Sequence, residues 1–325
     1  MGDNNIPGPD LVGKNVSEVP KPAAILDIAK VRRHCSSMLD AVQNLGIGFR
    51  AHVKTHKLGD SKDVKIVVST VAELEHLLPL LEKCGRDGRG VNVLYGIPLP
   101  GSQISRLAKL ARQLGPESMA FLIDNPSQLG AVRLFHGQAG FAAGIYVKVD
   151  TGYHRAGLPP ASLNKGGLIQ ELSLLEEQGK IYLIGLYSHS SLSYTGCSPA
   201  DAIDSLVGEL KGCVEALVEL RSQYKGRSRI TNVSVGASPQ ALALQNNAAS
   251  MDLSAETSNS YSELRGLLRT FASGEIEGVK VSLEIHAGVY TVLDLQQLAT
   301  QSRESFRSYE DEIALSVVAE WVPWV

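Results

Sequence analysis

The stretch Val64-Lys65-Ile66-Val67-Val68-Ser69-Thr70-Val71-Ala72-Glu73-Leu74-Glu75-His76-Leu77-Leu78-Pro79-Leu80-Leu81 contains two kinds of element in one reading. Val64 to Ser69 is a short apolar run of strand type. Thr70 with Glu73 three residues on is a capping box, and Leu74, Leu77, Leu78 and Leu81 then step by three and four, so a helix follows the strand. The same order precedes it. Ala24 to Asp27 is an apolar run, and Asp27 can cap a helix whose apolar positions are Ile28, Val31, Cys35, Met38, Val42 and Leu45. Strand candidates continue at Phe49 to Val53, Val91 to Tyr95, Met119 to Asp124, Gly144 to Asp150, Ile181 to His189, Asn232 to Gly236 and Val279 to Ile285, with helical periods between most of them. One helix starts at Ser198-Pro199, with Asp201 in its first turn.

Strands that are apolar on both faces and alternate with helices predict a parallel sheet buried by helices. Two architectures satisfy this, a (β/α)8 barrel and a doubly wound open sheet. A barrel enzyme draws its polar residues from the carboxyl ends of many strands, whereas an open sheet gathers them at one switch point. Here the strand ends carry His52 and Lys54, Thr70, Tyr95, Asp124, Asp150 with Arg155, His189, Gly236 with Ser238, and His286 with Gly288. That distribution favours the barrel.

Composition narrows the function. The 325 residues include 31 basic and 34 acidic side chains, a net charge of -3, which gives no cationic field for a nucleic-acid backbone. No apolar run approaches the ~20 residues of a bilayer span. Residues 1–20 lack the basic-then-apolar order of a secretory signal and read as a flexible leader, which makes the cytoplasm the expected compartment. Cys35, Cys84, Cys197 and Cys213 form no C-x-x-C pair, and reduced core thiols are expected.

Several motifs admit two readings. Gly46-Ile47-Gly48-Phe49-Arg50-Ala51 fits the dinucleotide fingerprint, the sole support for a nicotinamide enzyme, but it precedes a strand instead of following one and reads as a helix-to-strand turn. Gly85 to Gly90 reads as a solvated turn. His52 and His56 on an extended segment would stand about 13 Å apart, too far to share an ion. Lys54, at the end of an apolar strand, is either an ordinary exposed lysine or a desolvated amine able to attack a carbonyl. Arg155, in the glycine-bracketed loop after Asp150, is either solvated or faces an anion or a ring nitrogen. Gly236-Ala237-Ser238-Pro239 is either a plain turn or a phosphate loop late in a barrel.

Arg50-Ala51-His52-Val53-Lys54-Thr55-His56-Lys57 resembles the R-P-H-x-K-T-H-K segment of the D-threonine aldolase and eukaryotic D-serine dehydratase family, pyridoxal-phosphate enzymes of the alanine racemase fold type. The likeness continues through Asp150 to Leu158, Gly185 to His189 and on to Ser193-Tyr194, Gly236 to Pro239, and Glu284 to Tyr290 with Asp294. It implies a (β/α)8 barrel with pyridoxal phosphate at its mouth. Lys54 is the implied catalytic residue and covalent anchor. Gly236, Ser238, Gly288 and Tyr290 are implied at the phosphate, and Arg155, His189 and Tyr194 around the ring. The implied substrate is a β-hydroxy D-amino acid, D-serine or alternatively D-threonine, and the implied assembly a homodimer.

The sequence departs from the family pattern at two places. Ser190-Ser191-Leu192-Ser193-Tyr194 stands where the family has A-G-small/polar-S-Y. The family also continues into a β-domain whose late H-x-C pair binds a divalent metal, commonly zinc, and those ligands are absent here, so no metal residues are expected. The resulting expectation is a barrel over residues 21–310 and the start of a truncated β-domain over 311–325, with Ile313 to Ala319 as its first strand. A truncated protein without catalysis that binds the cofactor or a partner is the reading from another class.

Overall fold

The structure, a computed structural model, describes residues 11–53, 63–226, 230–248, 259–304 and 306–321. Strand β1 (Ala23–Leu26) leads into helix α1 (Ile28–Asn44), whose N-terminus is closed by the Asp27 carboxylate accepting from the backbone N–H groups of Ala29 and Lys30. Then come β2 (Gly48–His52), β3 (Val64–Val68), α2 (Val71–Arg86), β4 (Val91–Tyr95), α3 (Ile104–Leu114) and β5 (Met119–Ile123). The middle of the chain adds α4 (Leu129–Ala139), β6 (Ala143–Val149), α5 (Leu168–Glu177), β7 (Ile181–Ser188), α6 (Pro199–Gln223) and β8 (Thr231–Val235). It finishes with α7 (Ser238–Ala248), α8 (Asn259–Ala272), β9 (Glu275–Ile276), β10 (Val279–Ala287), α9 (Leu295–Ala299), α10 (Tyr309–Glu312) and β11 (Leu315–Val318). The capping box at Thr70 and the Ser198 cap with Pro199 behind it are both formed, because each satisfies N–H groups that the first helical turn leaves orphaned.

Strands β2 to β8 and β10 pair in sequence, all parallel, and β10 pairs back onto β2 with His286 opposite Arg50. The sheet is therefore closed. Among the described residues this is the eight-stranded barrel expected from the alternation, with the open sheet excluded by the β10–β2 ladder.

Two clusters divide the apolar interior. The larger fills the space between the barrel and its helices, with Ile66, Val93, Phe121, Ile145 and Val233 pointing outward from their strands. The smaller holds Val67, Leu94, Leu122, Tyr146 and Tyr187 inside the barrel. Successive residues of a strand face opposite sides, so Val67 belongs to the lumen and Ile66 and Val68 to the helix face.

Three expectations are corrected. The run at Ala24 to Asp27 is not a barrel strand. β1 pairs antiparallel with β11, Ala23 opposite Val318, in a separate ribbon. A short apolar run marks a strand without naming its partner. Of the four cysteines only Cys84 and Cys213 are core thiols; Cys35 is half-buried and Cys197 exposed. Tyr290 is displaced from its expected role, as described below.

Candidate active site

A cavity of about 450 Å³ opens at the carboxyl ends of the barrel strands. Its floor is Leu122, Tyr187 and His286, from β5, β7 and β10. Above the floor stand His52 at the end of β2, Lys148 of β6, and Asp124 just beyond β5. The loops after β6, β7, β8 and β10 supply Arg155, His189 with Tyr194, Ser238, and Gly288. Five of the eight site residues expected from sequence thus meet in one cavity: Arg155, His189, Tyr194, Ser238 and Gly288. Lys54 lies outside the described residues, as does His56, and His52 two positions before Lys54 lines the cavity.

Arg155 is placed by a folded loop. Asp150 accepts from the N–H groups of Gly152 (3.0 Å) and His154 (2.9 Å), while Asp124 accepts from the Gly157 N–H (2.9 Å). Gly157 has φ +108, and a Cβ there would sit 2.8 Å from the Asp150 nitrogen, so no side chain fits where the loop returns beside β6.

The opposite wall suits an anion. Ser238 begins the 11-residue helix α7, whose N-terminus carries the positive end of the helix dipole, while Pro239 behind it has no N–H to offer. The Ser238 hydroxyl accepts from the Val289 N–H (3.0 Å), which leaves its own proton to donate. Gly236 does not line the cavity; at φ +133 its Cβ would meet the His286 carbonyl at 2.8 Å, so glycine allows β8 and β10 to approach closely just before the helix. Its carbonyl accepts from His189 Nδ1 at 2.7 Å, which protonates that nitrogen and turns Nε2 into the imidazole's acceptor when the ring is neutral.

Tyr290 is not at this wall. Its ring packs edge-on to Phe49 with centroids 5.2 Å apart, and its hydroxyl bonds Cys35 in a groove on the barrel flank. The expected hydroxyl donor is therefore on the helix side of the barrel, in the turn that follows β10.

Two residues of the site were not singled out in the sequence. Lys148 lies half-buried with its ammonium 5.4 Å over the Tyr187 ring, and burial first, then the Arg155 cation, lowers its pKa. Its signal was a lysine set into the apolar run of β6. Glu209 on α6 is 1% exposed, and its two oxygens accept from the N–H groups of Ser190 and Gly236, tying the loop after β7 to the loop after β8. Burial pushes its carboxyl up to about 7. The signal was an acid on the stripe formed by Leu206, Leu210 and Cys213.

Residues 65–254 match the alanine racemase N-terminal domain. The chain belongs to that family. It is 31% identical over 306 residues to a D-serine dehydratase of Schizosaccharomyces pombe, covering 90% of this chain and 65% of that protein. It is 30% identical over 314 residues to a D-serine dehydratase of Saccharomyces cerevisiae, covering 89% and 68%. The chain thus spans about two thirds of the length of these relatives. The solved D-threo-3-hydroxyaspartate dehydratase from Delftia sp. HT23 superposes with a TM-score of 0.63 at 24% identity, covering 92% of this chain and 67% of that one, and shares the fold of this racemase-type barrel. Among the described residues no group of three or more His, Cys, Asp or Glu stands together as a metal site, so the divalent metal implied by the sequence resemblance has no ligand set there. No helix among them is long and apolar enough to cross a membrane.

Proposed function

We propose that this chain binds pyridoxal phosphate and acts as a lyase on a β-hydroxy D-amino acid, most directly D-serine, giving pyruvate and ammonia. The observation that carries the reading is the convergence of Arg155, His189, Tyr194, Ser238 and Gly288 around one cavity, with an anion-binding helix end on one wall and an aromatic floor. The D-serine dehydratase names of the two yeast relatives supply the substrate class. The donor set fits the cofactor. The N-terminus of α7 and the Ser238 hydroxyl suit its phosphate, Tyr187 and His286, stacked on each other, give the cavity an aromatic floor, and Arg155 and Lys148 offset its negative charge.

When bound, pyridoxal phosphate lends its conjugated ring as an electron sink for charge at the substrate Cα. The remaining steps belong to the chain. Lys54, the lysine of the H-x-K-T-H-K run, holds the cofactor and, once the substrate amine has replaced it, removes the α-proton as a general base. His189, donating through Nδ1 to the Gly236 carbonyl, keeps Nε2 available to a proton on the substrate side. Glu209 holds the two loops that carry these groups in fixed relation. The cofactor-binding unit is residues 21–310, working in a homodimer in the cytoplasm. Cleavage of D-threonine between Cα and Cβ is the second reading within the same site.

The test is direct. The purified chain with pyridoxal phosphate is expected to show a band near the visible edge that borohydride reduces, with the label mapping to Lys54, and Lys54→Ala is expected to abolish it. D-Serine, D-threonine and their L-isomers are then assayed with and without a divalent ion. Label on Lys57 would overturn the assignment of Lys54, and cofactor binding without turnover of any D-isomer would favour a binding protein over an enzyme.

A further inference from the structure

The turn that follows β10 forms one edge of the cavity and is tied down on two sides. On the cavity side Gly288 lines the wall, and the Val289 N–H donates to Ser238 Oγ at 3.0 Å. On the far side the Val292 carbonyl accepts from the Ala314 N–H at 2.8 Å, and the Thr291 carbonyl lies 2.9 Å from His34 Nδ1. His34 belongs to α1 and is 2% exposed. Its other nitrogen, Nε2, lies 3.1 Å from Oε2 of Glu312 on α10. One buried imidazole thus bridges the turn to α10.

Both partners of the ring are acceptors. A backbone carbonyl has no proton to give. Burial opposes the charge of Glu312, but the Arg303 guanidinium at 2.6 Å outweighs it and holds the group as a carboxylate, with Arg33 at 3.7 Å. Each nitrogen must therefore carry hydrogen for both bonds to stand, and that describes an imidazolium. A neutral ring has one N–H and keeps one bond. The bond to the charged carboxylate is the stronger, and Glu312 is anchored besides by Arg303 and by the Arg307 N–H at 3.4 Å. The proton that leaves is then the one on Nδ1, whose lone pair is left facing the Thr291 carbonyl. Burial, with Arg303 adding to it and against the pull of Thr291 and Glu312, places this loss below the ordinary histidine value. Among the described residues the charged groups at the ring are Arg33 of the same helix, Arg303 and Glu312. The turn and α7, which packs on α1, carry no charged side chain, and Arg50 and His52 of β2 face the barrel lumen.

We propose that His34 is a proton-dependent latch on the cofactor wall: doubly protonated, it ties the turn after β10 to Glu312, and when Nδ1 loses its proton the turn is released. Resting on the pyridoxal-phosphate reading of the cavity, His34 is a positioning residue that acts through Thr291 on Gly288 and on the Val289 N–H that orients Ser238. Below the transition both bonds stand. Above it the repulsion between two lone pairs works against the closed turn, so cofactor binding weakens as pH rises. The release is confined to the turn, because Lys30 and Arg33 also hold α10 on α1 by donating to the carbonyls of Ile313 (3.2 Å) and Asp311 (2.6 Å).

The experiment is nitrogen NMR of the full chain labelled with 15N-histidine across the histidine range, about pH 4.5 to 8, followed by titration with pyridoxal phosphate at each pH. The His34 signals are those lost in His34→Gln and shifted in Glu312→Gln. Nδ1 is expected to pass from protonated to unprotonated within this range while Nε2 keeps its hydrogen. Glu312→Gln removes the anion that favours the imidazolium and is expected to move the midpoint to lower pH. The cofactor titrates too, so its dissociation constant is read as the ratio of the unmodified chain to His34→Gln, whose amide does not titrate. That ratio is expected to rise about fivefold from the acid to the neutral end, the scale of one hydrogen bond. Where His34→Gln does not fold, Glu312→Gln identifies the signals, and the shift in its NMR midpoint must reappear in its cofactor titration. An Nδ1 that keeps or lacks its proton across the whole range overturns the latch, and a flat ratio overturns its coupling to the cofactor wall. Failure of the unmodified chain to bind pyridoxal phosphate at any pH overturns the functional reading and that coupling, while the latch itself is read without cofactor.

Discussion

Glu209 shows how one buried side chain links stability to the geometry of the site. Each of its oxygens accepts from a backbone N–H, one from the His189–Ser190 loop and one from Gly236, and both loops border the cavity. Burial raises its carboxyl from 4.5 to about 7, against the pull of those two N–H groups, while Lys148, Tyr187 and Cys213 are the ionisable groups it acts on nearby. A folded pKa above the unfolded one means that the native state holds the proton more tightly. Its contribution to stability is therefore fully present below pH 4.5 and lost as pH rises through about 7. Glu209→Gln cannot titrate, so the melting temperature of the unmodified chain, measured against that variant, is expected to fall across this window by an amount on the order of a few kcal/mol in stability. Parallel melting curves from pH 4.5 to 8 would show the carboxyl to be unshifted. At this scale the sequence was legible only in part. Arg155, His189 and Ser238 announced themselves by standing at strand ends, whereas Glu209 and Lys148 sit inside regular elements, where an acid or a lysine is assigned to solvent until the packing of neighbouring elements shows that none reaches it.

Elements were more legible than their partners. The caps at Asp27, Thr70 and Ser198 fixed the starts of α1, α2 and α6, because cap chemistry is local. Partnership is not local. β1 has the apolar pattern of a barrel strand and pairs with β11, nearly three hundred residues later, and Tyr290 lies in the turn after β10, where no strand alternation sets the direction of its side chain. The loop between β6 and α5 is the element on which the site depends most. Its return is fixed by Gly157, its flank by the Asp124 carboxylate, and its tip by Asp150, and Arg155 is carried on it. Gly157→Ala places a methyl 2.8 Å from the Asp150 nitrogen and the Val149 carbonyl carbon, both backbone atoms that cannot rotate away. The loop must shift. The expected result is a loss of about 1–3 kcal/mol in stability from the strained backbone, with a several-fold weaker affinity for pyridoxal phosphate as Arg155 leaves the cavity. Thermal unfolding and a cofactor titration measure the two effects separately, and an unchanged titration would detach this loop from the cofactor.

Closure of the barrel concentrates polar groups where an apolar lumen would be the simpler solution. Arg50 on β2, Asn92 on β4, Tyr146 on β6 and Asn232 on β8 come from alternate strands and form one interior layer, as side chains in closed parallel barrels do. Arg50 donates to Glu284 (2.5 Å), to Asn92 Oδ1 (2.9 Å) and to the Tyr146 hydroxyl (3.0 Å), and Tyr146 passes its own proton to Asn232 at 3.0 Å. Burial raises the Tyr146 hydroxyl, which keeps it protonated and able to donate. Burial alone would raise the Glu284 carboxyl too, but Arg50 and then Lys65 outweigh it and hold the group below its usual range. The pair joins β2 to β10, the last ladder that turns the sheet into a ring. Glu284→Ala removes the counter-charge from a guanidinium that is 1% exposed, and is expected to cost about 3–5 kcal/mol, the range for one partner lost from a buried ion pair. Exchanging both for apolar residues of similar volume, Arg50→Met with Glu284→Leu, removes the desolvated charges together. The double variant is therefore expected to be more stable than Glu284→Ala alone, even though it carries more changes. Chemical denaturation of the two variants decides it. A double variant weaker than the single would mean that the other hydrogen bonds of this layer, and not the charge pair, hold the ring closed.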